Sequence, residues 1–278
     1  MRRLTVLSLA LCLPTTALAQ PAAGDVTLRY HYTVGARQPY TARVGIHSTT
    51  EIQSVTVTTG NVETVSVDAD GAAQMQLRVT RVALEAPSVG ALNMQAVAND
   101  LRGASVRYRM TARGELTDLR VEGEMPPGSR AILEDVIEAV GGANPVLPEN
   151  PVRVGATWTR ARTFHSANVS ATQDLQVSAS YTLRSLTGDG AAQVAVVAVD
   201  EAYTLPPTTL PRDVRLSGEG AVRGEATLAL GRGRVAASQA AGDLTLHIVT
   251  PQRSRDGVLH MVRAATGADA ATRGRRPR

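Results

Sequence analysis

Apolar and polar side chains alternate with a period of two along most of this chain, and that alternation is what most limits its fold. Val26, Leu28, Tyr30, Tyr32 and Val34 share one face of an extended segment, with Thr27, Arg29, His31 and Thr33 on the other. A strand with one buried and one wet face has this signature. The pattern returns in Ala73, Met75, Leu77 and Val79, in Val106, Tyr108, Met110 and Ala112, in Leu175, Val177, Ala179, Tyr181 and Leu183, and in Val222, Gly224, Ala226, Leu228 and Leu230. Shorter strands are predicted over 40–47, 51–59, 62–68, 116–121, 234–240, 244–249 and 258–262. Residues 191–199 are apolar on both faces and predict a central strand covered on both sides. Gly60-Asn61, Asp68–Gly71 and Gly114-Glu115 carry turn chemistry, and the Pro-rich stretch 205–211 reads as a loop. The apolar phase slips near Arg81, which a bulge would explain.

One helix stands out, at about 129–140. Ser129 is placed to cap it, and Ile132, Leu133, Val136, Ile137 and Val140 form a single stripe. Glu134, Asp135 and Glu138 face away as a solvated surface, and Gly141-Gly142 stops it. Residues 86–102 fit two readings. One is a helix capped by Ser88 with Val89, Leu92, Ala96 and Val97 inward; the other is a loop and a short strand.

After the helix, Pro145, Pro148 and Pro151 crowd into a seam that can be neither helix interior nor central strand. Trp158, the only Trp, follows and is predicted to anchor the second half. Segments on either side of the seam match in order. Val34-Gly35-Ala36 recurs as Val154-Gly155-Ala156, Asp70–Gln74 recurs as Asp189–Gln193, and Arg113-Gly114 recurs as Arg232-Gly233, at offsets of 120, 119 and 119. The expected architecture is mainly β. An antiparallel curved sheet closes into a sandwich or barrel from two repeated β meanders, 24–125 and 150–263, within one domain spanning 20–263. With one clear helix to cover so many one-faced strands, the strands must cover each other. Either the interior packs as a sandwich or it keeps an apolar cavity.

Residues 1–19 read as a secretory signal, with Arg2 and Arg3, the apolar run Leu4–Leu13, and Ala17-Leu18-Ala19 as the cleavage site before Gln20. The expectation is therefore a periplasmic or secreted protein. The single Cys12 lies inside that signal, so no disulfide supports the rest. No stretch reaches the roughly 20 apolar residues of a transmembrane helix. The net charge of +4 comes from Arg2, Arg3 and a tail at 264–278 that holds Arg273, Arg275, Arg276 and Arg278 and reads as disordered. With no basic face and only eight aromatics, nucleic acid is not an expected partner. An outer-membrane barrel would want aromatic girdles that this chain lacks.

The segment Leu147 to Trp158, L-P-x-x-P-V-x-V-G-x-x-W, together with Leu28-Arg29-Tyr30-His31-Tyr32 and the turn Gly114-Glu115-Leu116, resembles an uncharacterised family of secreted bacterial β-rich proteins. That resemblance implies an exported β domain and brings no catalytic residues. In architecture alone, the chain is similar to periplasmic lipoprotein carriers of the Lol type, which fold a curved sheet around a lipid cavity.

No motif for catalysis appears. His31, His47, His165, His247 and His260 lack metal-ligand spacing, and Asp68 and Asp70 belong to a turn. G-x-S-x-G is absent around Ser129. No enzyme activity, metal or cofactor is expected. The leading expectation is an exported domain that binds lipid or another apolar ligand through Leu28, Tyr30, Tyr32, Tyr108, Met110, Trp158 and Tyr181. The alternative is a structural or adaptor protein that contacts an envelope partner.

Overall fold

The computed structural model describes residues 24–48, 53–85, 91–130, 133–134, 137, 144–166 and 173–267. The segment expected to be a signal, 1–19, with its expected cleavage site, Ser88 and residues 268–278 lie outside these. So does the rest of the helix expected at 129–140, with the glycines after it.

The protein is mainly β, built as a single antiparallel sheet of eleven strands. They are β1 (Arg37–Ser48), β2 (Gln53–Val67), β3 (Ala73–Glu85), β4 (Ser105–Met110), β5 (Leu116–Glu122), β6 (Thr157–Ser166), β7 (Gln173–Thr187), β8 (Val194–Leu210), β9 (Val214–Ala229), β10 (Arg234–Val249) and β11 (Ser254–Gly267). The order across the sheet is β5-β4-β3-β2-β1-β11-β10-β9-β8-β7-β6. β1–β5 and β6–β10 therefore run two successive meanders in the same sense, and β11 joins them by pairing with β1 and β10. Their turns use matching bonds. Gly35 N–H donates to Thr64 and Gly155 N–H to Leu183, while Gly114 N–H donates to Thr111 and Gly233 N–H to Leu230.

Several expected boundaries move. β2 runs straight through Gly60-Asn61, where the register against β3 shifts, so this glycine marks a bulge and not a turn. The phase slip near Arg81 is the other side of the same bulge. β8 continues through Pro206 and Pro207 with a register shift between Leu205 and Thr208, which lets the prolines sit in a strand. Along β8 only one face is buried, so it is central without being covered on both sides. The segments 234–240 and 244–249 are one strand. β11 extends to Gly267, four residues into the expected tail. Residues 91–101 form a helix, α1 (Ala91–Leu101), which settles the open reading at 86–102. It buries Ala98 and Leu101 on β3 and leaves Ala96 exposed. The second helical segment begins at 127, so Ser129 lies in its first turn, and its hydroxyl donates to Asp100 Oδ2 at 2.7 Å instead of capping its own helix. Leu133 and Ile137 are buried from it, as expected.

The largest change concerns residues 26–34. This segment is extended, but it is not a sheet strand. It makes one bridge, Val26 with Val152, then crosses between the two halves. Tyr30 N–H donates to Ala112 O at 2.8 Å and His31 N–H to Leu230 O at 3.3 Å. Leu28 and Tyr30 are buried, so the alternation was reporting one-sided burial of an extended chain and not a ladder. The seam runs beside this strap. Leu147 N–H donates to Arg113 O, Trp158 Nε1–H donates to Val146 O at 2.7 Å, and Arg29 donates to Pro148 O and Glu149 O. The hydrogen-bond ladder does not close, since β5 and β6 remain edges. Glu115 before β5 pairs with Arg160 on β6, so strap and seam occupy the gap between two edges that face each other.

Glycines set the curvature. Gly220 and Gly224 on β9 and Gly242 on β10 share the concave face. A Cβ at any of them would run into backbone of the neighbouring strand, at Asp243 O, Gln239 O and Ala221 O. Side chains are excluded because the two strands fold sharply over one another there. Gly224→Ala is predicted to lower the thermal unfolding midpoint by roughly 4–8 °C, from a packing conflict of about 2 kcal/mol. Gly257→Ala, with open space at its Cβ, should leave the midpoint unchanged in the same calorimetric scan.

Candidate functional site

The residues expected to form a site divide between two cores. Tyr30, Tyr32, Tyr108 and Met110 come together with Tyr40 and Met75 around a void of about 70 Å³ between the strap, the first meander and the adjoining ends of β10 and β11. Tyr30 and Tyr32 stack with centroids 6.3 Å apart. Their hydroxyls donate to Pro145 O and Thr111 O. The Tyr40 hydroxyl is buried without a protein partner among the described residues. The void has room for a few waters; a typical small-molecule site is several-fold larger, about 300 Å³ and above. Leu28, Trp158 and Tyr181 belong to the second core, under β7, β8 and β9. Trp158 stacks on Tyr181 at 5.7 Å and ties down the seam through Val146, which is the anchoring role its position predicts. It does not line the void. Tyr32 packs against both cores and so links them.

A second constellation lies on the concave face of the second meander. On β8 the buried positions are Ala195, Val197, Val199, Glu201, Tyr203 and Leu205, so Glu201 points inward in phase with its apolar neighbours. Register places Arg162 of β6 beside Val177, and Arg263 of β11 beside Ala240, both also on this face. Arg263 Nη2 lies 2.8 Å from Glu201 Oε2, Arg162 Nη2 lies 3.4 Å from Oε1, and the Tyr203 hydroxyl donates to Oε2 at 2.5 Å. Arg263 reaches β8 across two intervening strands. The glycines of β9 and β10 make this possible, because they put no side chain in its way and curl β8 toward β11.

The Glu201 side chain has no exposed surface, whereas those of Arg263 and Arg162 retain 16% and 32%. A carboxylate so buried persists only because charged donors compensate its lost hydration. Two guanidiniums share this one carboxylate, so the cluster carries an excess positive charge. Arg162 Nε is buried with no partner among the described residues. Periodicity alone passes over these residues, yet it holds the signal: Glu201, Arg162 and Arg263 are charged groups in phase with the apolar face.

Beside the cluster the concave face turns apolar again. Val177, Tyr203, Val222, Ala240 and Leu244 are buried, with Leu175, Leu246, Leu259 and Met261 only half covered. Every side chain of this cluster comes from β7–β11 themselves. Among the described residues, α1 packs on β3, and Leu133 and Ile137 of the second helical segment lie in the core with β3 and β4.

The remaining expected residues have ordinary surroundings. His247 and His260 face outward and pair with Asp256 and Asp243, each at 2.7 Å. Arg109 bridges Asp68 and Asp70. The Ala72 N–H and Arg109 hold the Asp70 carboxyl below its usual range. Among the described residues no group of three metal-ligating side chains occurs.

All six tyrosines are shifted upward. Burial is the main cause at Tyr30, Tyr32, Tyr40, Tyr108 and Tyr181, and it pushes Tyr203 up to about 12 against the opposing charge of Arg263. A phenol whose folded pKa lies above its unfolded value of 10.0 stabilises the fold fully below that pH, and this contribution is lost as pH rises through the folded pKa. Tyrosinate absorbance should therefore stay absent at about pH 10 and then appear together with loss of β circular dichroism. Tyrosinate signal with the dichroism intact would contradict this packing. Separately, Glu201→Ala strands two guanidiniums and is predicted to cost about 3–5 kcal/mol in chemical denaturation. Arg162→Gln, which gives up only a long contact from a partly exposed side chain, should cost less than about 1 kcal/mol.

No protein-family model and no curated protein matches the chain. Among solved structures it is similar to one described as lipid–protein interactions in lipovitellin, with a TM-score of 0.47 and 10% identity over 85% of this chain and 25% of that one. The chain thus spans a quarter of the length of that protein's chain.

Proposed function

We propose that this protein is an exported, non-enzymatic carrier or receptor that holds an amphiphilic, lipid-like ligand against the concave face of β7–β11. The half-covered apolar strip of Leu175, Leu246, Leu259 and Met261 carries this reading. These side chains lie on the inner side of a curved sheet, and among the described residues no helix packs over them. Contiguous apolar surface left open in this way is characteristic of a binding site. The signal-like residues 1–19 support placement in the cell envelope or outside the cell, where such ligands are available. The tyrosine-lined void serves in this reading as packed support for the strap and not as the ligand chamber.

Native mass spectrometry of the exported full-length protein, before and after incubation with phospholipid vesicles, tests the reading. The expected result is a bound amphiphile that survives transfer to the gas phase. Leu246→Asp should weaken uptake by at least roughly tenfold, because a carboxylate on the apolar strip opposes burial of a hydrocarbon chain. A bare-chain mass in every condition, with no uptake from vesicles, would sink it.

A further inference from the structure

We infer that the ligand is an acidic amphiphile carrying a single negative charge, and that Arg162 and Arg263 hold its head group. The inference rests on the ligand reading above and adds to it a chemical class and an orientation. It starts from the charge of the concave face. Arg162 and Arg263 share one carboxylate, Glu201, so the cluster is left one positive charge in excess. With Glu201 fully buried and Arg263 only 16% exposed, an arriving anion would offset that excess.

The geometry names the place. Glu201 Oε2 is saturated by Arg263 and the Tyr203 hydroxyl, and Arg162 approaches Oε1 only at 3.4 Å. The Nε of Arg162 is buried and unpartnered among the described residues. A guanidinium offers its donors as a planar fork suited to a carboxylate or a phosphodiester. Arg162 therefore has an unused donor beside a weak contact, on a side chain that keeps 32% of its surface exposed.

The register names the direction of the chain. Arg162, Val177, Tyr203, Gly220, Leu244 and Leu259 form one row across the concave face. Leu246 lies one step further from the strap, opposite Gly218 of β9. Toward the strap the face is blocked, since Pro145 of the seam lies against Tyr181, Val199 and Arg263 around a void of about 10 Å³. That space takes one water at most. A hydrocarbon chain whose head group sits on Arg162 can run only along that row toward Leu259 or away from the strap over Leu175 and Leu246.

Binding of oleate, oleyl alcohol and acetate to the full-length protein, measured by titration calorimetry, separates the parts. Oleate should bind, oleyl alcohol at least tenfold more weakly, and acetate not measurably. Arg162→Gln should reduce oleate affinity tenfold or more and leave the alcohol unchanged, while Arg162→Lys should stay within about threefold of the parent because the charge is kept. Thermal unfolding of each variant confirms the fold, and Leu246→Asp provides a second route that leaves the arginines in place. Equal affinity for acid and alcohol, both insensitive to Arg162→Gln, would overturn the head-group assignment while the apolar reading stood. Failure of both long-chain probes to bind would remove the apolar reading itself. Acetate binding as well as oleate would show a simple anion site without a place for the chain.

Discussion

Close contact between β9 and β10 at their glycines governs the shape of this molecule. Where Gly220, Gly224 and Gly242 meet the neighbouring backbone, no side chain can stand on the concave face. The sheet folds over itself along that line. One consequence is that β8 and β11, separated by two strands, come near enough for Glu201 to meet Arg263. Another is that a single open sheet can cover much of its own apolar face, which a flat sheet of eleven strands could not do.

Curvature brings the two sheet edges together without pairing them. β5 and β6 face each other across a gap, and an open gap would expose backbone groups to any passing strand. The strap at 26–33 and the seam at 144–152 fill it. They pair with each other at Val26 and Val152, and they bond outward to Ala112, Arg113 and Leu230. Leu28, Tyr30 and Leu147 then become core residues of segments that are not strands. The seam is thus an interior element, and its prolines suit a chain that offers carbonyls to Arg29, Tyr30 and Trp158 while few N–H groups need partners.

The two halves use similar strands for different ends. In the first meander, α1, the second helical segment and the strap complete the core, leaving a void of about 70 Å³ inside and an open cleft of about 420 Å³ between the strap and the β2–β3 turn. In the second, no described helix covers β7–β11, and the interior carries a buried ionic cluster bordered by half-covered leucines. Burying Glu201 costs hydration that Arg263, Arg162 and Tyr203 offset, and the second guanidinium leaves the charges uncancelled. That imbalance, set beside apolar surface, distinguishes this end from an ordinary core.

Period-two alternation by itself determined the fold class, because only extended chain with one buried side produces it. Turn chemistry at Asp68–Gly71 and Gly114 was equally legible, since positive φ demands glycine locally. The helical stripe placed Leu133 and Ile137 in the core, and the lone Trp158 marked an anchor. Other features were not local. Whether residues 26–34 join a ladder depends on which backbone lies alongside, and alternation is blind to that. Gly60 and Pro206-Pro207 look like turn signals but sit at bulges, whose existence depends on the partner strand's register. Glu201, Arg162 and Arg263 lie far apart in the chain, and only the curl at the β9–β10 glycines brings them into one cluster. Sequence pattern decided which side chains turn inward; the tertiary fold decided which of them meet, because that is set by curvature and register acting across strands remote in the chain.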